Sequence, residues 1–119
     1  MVKITEVEGM SMAYSQEKRG FIKAISTQQA DVDPEIIKQD DLCQFGKWLN
    51  ELPQEDKQSE QFITVKALHA DFHKAAGEIM ELAASGKRDE ALRMIEGSDQ
   101  FSNITGRLTL ALRLWQSKL

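Results

Sequence analysis

Cysteine is almost absent from this 119-residue chain: there is one, Cys43, so no internal disulfide can form. A lone thiol suits a reducing compartment, where it serves as a ligand or a sensor. Histidine is nearly as scarce, with two copies, His69 and His73, and proline also occurs twice, at Pro34 and Pro53. No apolar run approaches the roughly 20 residues that a membrane helix needs, and the first residues carry no signal-peptide apolar core. No cluster of Lys or Arg offsets a net charge of −4, which argues against a nucleic-acid backbone as partner. Sustained two-residue alternation of β-branched residues is missing too, so strands are not expected. The expectation is one soluble, cytoplasmic domain over residues 1–119, without membrane contact.

What is present is helical periodicity. Between about Ile4 and Thr27, Met10, Ala13, Tyr14, Phe21, Ala24 and Ile25 recur at helical spacing, although Gly9 and Gly20 weaken the pattern. Gln29 to Pro34 reads as a break, with Pro34 placed to open a short turn of helix. Asp40 or Asp41 is the expected N-cap of a short helix that runs to about Leu52 on Phe45, Trp48, Leu49 and Leu52, and Pro53 stops it. From Gln58 to Ala84 a heptad seam carries Phe62, Val65, His69, Phe72, Ala76, Ile79 and Ala83, and Ser85-Gly86 ends it. A last helix, about Asp89 to Ser117, presents Ala91, Met94, Ser98, Phe101, Thr105, Leu108, Leu112 and Trp115. A second stripe of Ile104, Leu110 and Leu114 suits burial on two sides or a dimer contact. Three long helices and one short one predict an all-α, antiparallel four-helix bundle.

The chemistry concentrates at three side chains. His69 and His73 stand four residues apart on one helix face and can share a metal ion, or they can be hydrogen-bonded core residues. Cys43 is either a small buried hydrophobe or a third ligand. Gly46, one turn further on, favours the second reading, because a turn without a side chain lets the short helix lie close to a neighbour. Phe45 and Trp48 would clamp that helix to the bundle. A zincin-type protease needs glutamate directly after the first histidine, and position 70 is Ala. No nucleophile elbow, phosphate-cradling glycine loop or carboxylate pair is visible. Only Asp71 or Glu17 could act as general base beside a metal-bound water, so the chain is not expected to be an enzyme.

Cys43-Gln44-Phe45-Gly46-Lys47-Trp48, followed after twenty residues by His69-x3-His73, resembles the chemoreceptor zinc-binding domain family. That family's pattern is H-x2-aromatic, then C-x-[apolar]-G-x-[W/F], then H-x3-H. The resemblance spans the first helix to the end of the third. It implies a four-helix zinc sensor with three histidines and one cysteine as ligands, attached to a bacterial chemoreceptor signalling region or diguanylate cyclase, often as a homodimer. The aromatic that fits the first element is Phe21, and three residues before it stands Lys18 where the family has histidine. Three completions of the site at Cys43, His69 and His73 are open: water, a carboxylate oxygen from Glu17, or Lys18 itself as a tethered cation in the metal's place. The expected function is sensing of zinc, or of oxidation at Cys43, for a fused or partner signalling domain. The alternative is a metal-free dimerisation or adaptor bundle with a degenerate site.

Overall fold

The computed structural model describes residues 2–27, 33–97 and 99–119, and among these every regular element is helical. In chain order they are α1 (Ile4–Ser26), α2 (Pro34–Ile37), α3 (Gln44–Glu51), α4 (Glu60–Ala84), α5 (Arg88–Gly97) and α6 (Asp99–Ser117), with a 3₁₀ turn at Asp56–Gln58 before α4. No helix among the described residues is long and apolar enough to cross a membrane.

Local chemistry explains most of the boundaries. Pro34 opens α2, where its missing N–H costs nothing, and the Asp33 carboxylate caps the turn by accepting from the Glu35 N–H at 3.0 Å. The rest of the expected break, residues 29–32, lies outside the described residues. Ser59 caps α4, its hydroxyl accepting the Phe62 N–H at 3.1 Å, which moves the start two residues beyond the expected Gln58. Gly86, at φ +87°, ends that helix in the left-handed conformation that glycine adopts without strain.

Two further boundaries depart from expectation. The N-cap of α3 is Cys43 and neither Asp40 nor Asp41, because the chain over 40–42 folds back across the first turn of the helix. The expected last helix is two elements, α5 and α6, with Ser98 between them outside the described residues; Gly97, a poor helix former, ends α5.

α4 is the central helix, touching each of the other five. Phe62 meets Trp115 at 6.5 Å and Phe72 meets Phe101 at 5.9 Å between ring centres, so α4 and α6 run in opposite directions. Along α4, Phe62, Val65, His69, Phe72, Ala76 and Ile79 are buried, which is the seam read from the heptad pattern except for its last member, Ala83, which is half-buried. On α6 the buried face is Phe101, Thr105, Leu108, Leu112 and Trp115, while Leu110 and Leu114 are each 59% exposed. α1 contributes Val7, Tyr14, Ala24 and Ile25 to the core. Tyr14 ties α1 to three other helices: its ring meets Phe45 and Phe72 edge-on, and its hydroxyl donates to the Thr105 carbonyl at 3.2 Å. Burial first of all pushes that phenol up to about 12, so it stays a donor. Trp48 and Trp115, 5.5 Å apart, close the end of the bundle where α3 approaches α6.

Candidate metal centre

Four donor atoms from three helical segments meet inside this framework. His69 and His73 lie one turn apart on the buried face of α4, 0% and 3% exposed. Cys43 comes from the N-terminus of α3 and Glu17 from the middle of α1. Glu17 Oε1, Cys43 Sγ and one ring nitrogen of each histidine lie within 4.8 Å of one another. Cys43 Sγ is 3.4 Å from Nε2 of His69 and 3.4 Å from Nε2 of His73, and the two Nε2 atoms are 3.1 Å apart. Glu17 Oε1 is 3.0 Å from His73 Nε2 and 3.9 Å from His69 Nε2.

Each side chain is aimed by its surroundings. His73 Nδ1 lies 2.8 Å from the Ile37 carbonyl oxygen. A carbonyl only accepts, so Nδ1 carries the proton and donates it, and Nε2 faces the group. The His69 ring stacks on Phe45, 4.6 Å between centres and 15° between planes, while its Nδ1 is buried without a hydrogen-bond partner. Phe21 stands edge-on to His73 at 5.9 Å, and Phe72 lies against both imidazoles. These aromatic walls exclude water from the histidines.

Cys43 owes its position to its role as N-cap. The sulfur accepts the Gly46 N–H at 3.3 Å and lies 3.8 Å from the Asp40 carbonyl oxygen. Gly46 is needed because a Cβ there would overlap the Asp40 carbonyl and come within 3.0 Å of Asp41 Cα. Its close neighbour is therefore the chain leading into its own helix. The packing against the rest of the molecule that glycine was expected to permit is supplied by Phe45, 1% exposed.

The charge states of the metal-free group follow from burial and proximity. His69 is held down at about 4, first by burial and then by the neighbouring His73. Burial pushes His73 down as well, but its contacts with Cys43, Glu17 and the Ile37 carbonyl outweigh it and raise it to about 10. Although Glu17 Oε1 is within ion-pair distance of His73 Nε2, it is buried with no aligned hydrogen bond. Carboxylate and imidazole are directed at one point in space and do not share a proton along a line.

That convergence is the pattern a metal ion requires. Ligands at 2.0–2.3 Å from a tetrahedral zinc ion stand about 3.3–3.6 Å from one another. Five of the six separations, at 3.0–3.9 Å, bracket that range, and the sixth, between Glu17 and Cys43, is within 4.8 Å. One carboxylate, one thiolate and two imidazoles are also acceptable zinc donors. The residues therefore fit the ion.

Lys18 has no part in the group: it is half-buried and makes no hydrogen bond or ion pair with the described residues. A helical step of 100° separates it from Glu17, and the carboxylate is the one that faces inward. Asp71 is exposed and lines a groove of about 540 Å³ with Lys74, Glu78, Gln100 and Asn103, a groove that contains none of the four donors. Ile37 was not legible as a participant, since a backbone carbonyl carries no residue-type signal.

An all-helical domain with a convergent oxygen, sulfur and two-nitrogen donor set, its histidines buried and Glu17 and Cys43 half-buried, defines a small helical module arranged to take a transition-metal ion. The family model of the chemoreceptor zinc-binding domain matches residues 17–80, just over half of the chain, and the chain belongs to that family. The match begins at Glu17, the α1 residue of the donor group. No curated protein and no solved structure matches the chain.

Proposed function

We propose that the chain is a zinc-binding sensory domain of a bacterial signalling protein, with Cys43, His69, His73 and Glu17 as the ligands. The convergence of those four donor atoms within 4.8 Å carries the reading. Glu17 then fills the place where the family has histidine, in preference to water or Lys18. Bound zinc supplies two positive charges and a fixed geometry, and the Glu17 carboxylate and Cys43 thiolate neutralise both inside an apolar surround. The chain's own contribution is to hold α1, α3 and α4 at one centre, so that binding biases their relative placement. Reporting goes to a fused or partner signalling domain of chemoreceptor or diguanylate cyclase type. α2 and α3 together form one leg, and α5 with α6 another, of an antiparallel four-legged bundle. Cytoplasmic placement fits the free thiol, and a homodimer fits the exposed Leu110 and Leu114.

The same sulfur supports a redox input. Hydrogen peroxide would oxidise the Cys43 thiol to sulfenic acid, its second oxygen leaving as water, and the metal would lose its sulfur ligand. We read the centre as regulatory and not catalytic: its histidines are buried, and the neighbouring groove is lined by other residues. Metal analysis of protein purified without added zinc tests the proposal, with about one ion per chain expected and Cys43→Ser reducing both its retention and the response to peroxide. Wild-type protein that holds no zinc and melts identically with and without chelator returns the domain to the second reading, a metal-free adaptor. For that reading the 3.0 Å approach of Glu17 to His73 is the favouring observation, because the pair can balance its charge without an ion.

A further inference from the structure

His69, His73, Gly77 and Glu81 follow at four-residue steps and form one stripe along α4. The first two face the donor group; the last two face α2. Gly77 is buried, and a Cβ there would overlap the Lys38 side chain and come within 3.0 Å of the Pro34 carbonyl oxygen and 3.3 Å of the Lys38 nitrogen. Glu81 pairs with Lys38 Nζ. One turn before Gly77 on α4, the Ile37 carbonyl accepts the His73 Nδ1–H at 2.8 Å. This carbonyl belongs to the last residue of a one-turn helix, where the helix itself provides no N–H for it. The bare side of Gly77 thus lets α2 approach closely enough to offer its free end to a histidine of the site.

We infer that α2, seated on Gly77, is a positioning element for the metal centre, and that its docking and metal binding reinforce each other. The inference rests on the metal reading of the site and adds a structural participant to it. By seating α2, Gly77 holds the Ile37 carbonyl on His73 Nδ1, which fixes the ring orientation and presents Nε2 as the donor. Because coupling between two equilibria is reciprocal, a metal held better by a docked α2 must in turn hold α2 on α4.

The test uses the full chain, zinc titrated against a competing chelator, and amide exchange with and without zinc. Gly77→Ala keeps α4 a good helix former but pushes α2 away. It is expected to weaken zinc binding by about 10–100-fold, the range for loss of a hydrogen-bond partner behind a metal ligand. The His73 Nδ1–H signal, protected in the loaded wild type, is expected to exchange out in the variant, and the Lys38 and Gln39 amides to be slowed by zinc only in the wild type. Gly106→Ala, with nothing within 4 Å of the added carbon, is the control and should bind as the wild type does. Should Gly77→Ala fail to fold, Lys38→Met breaks the pair with Glu81 without adding bulk at Gly77, and a smaller loss of affinity with faster α2 exchange is expected. Unchanged affinity and a still protected His73 N–H in whichever variant folds would overturn the inference while leaving the metal site standing. A wild-type chain that binds no zinc would instead remove the metal reading itself.

Discussion

Glu17 and Lys18 are adjacent in sequence, yet one contributes to the donor group and the other does not. Substitution at each makes that difference measurable. Glu17→His puts a neutral imidazole where α1 faces the site, and zinc affinity is expected to hold or rise. Glu17→Gln removes the anionic oxygen and is expected to weaken zinc by tenfold or more, about 1.4 kcal/mol. Lys18→His is expected to leave zinc affinity unchanged, since the α1 donor atom of the group comes from Glu17. Competition titrations on the three variants separate these outcomes. The choice between the two residues could not be made from the sequence because it depends on the rotational phase of α1. Gly9 and Gly20 blur the apolar pattern of that helix, and an error of one residue turns a side chain by 100°. Histidine spacing on α4 was legible for the opposite reason: its seam is regular enough to fix the phase.

At the level of single elements, a glycine in close contact behaves differently from one in open space. Gly46→Ala is expected to destabilise the chain by more than about 1 kcal/mol and to displace Cys43, since the added carbon collides with the backbone of Asp40, which cannot move aside as a side chain can. Gly9→Ala meets nothing within 4 Å on an exposed turn of α1 and is expected to stabilise it by about 0.5–1 kcal/mol. Denaturant melts of both variants, with zinc binding followed alongside, check the contrast. Helix periodicity predicted α1, α3 and α4 to within a few residues. It did not predict Cys43 as an N-cap, because aspartate is the better capping residue and the sequence offers two just upstream. What moves the cap is the close approach of 40–41 to Gly46, a contact that exists only once the chain has turned. The seam of the last helix likewise gave no sign that α5 and α6 are separate, because it passes Gly97 without losing its period.

For the molecule as a whole, the two histidines give the metal-free chain opposing pH dependences. His69 has a folded value below that of a free imidazole, about 4, so its contribution is complete above about 6.5 and is lost as pH falls toward 4. His73 has a folded value above it, about 10, so its contribution is complete below about 6.5 and is lost as pH rises through 10. Thermal melts of the chelated chain are therefore expected to peak between these limits and to fall on both sides. With zinc present the acid side should steepen, because protons compete with the ion for both imidazoles and the thiolate.

The donors also occur at even intervals along the chain, at positions 17, 43 and 69–73, one group on each of three segments. The stretch between α3 and α4 is exposed at Pro53–Glu55, where a protease can reach it. A single cut there would place the sulfur on one fragment and both imidazoles on the other. The severed halves should co-elute while the ion bridges them and come apart more readily once a chelator strips it out, so that covalent continuity and mutual attachment become separate properties of the same molecule.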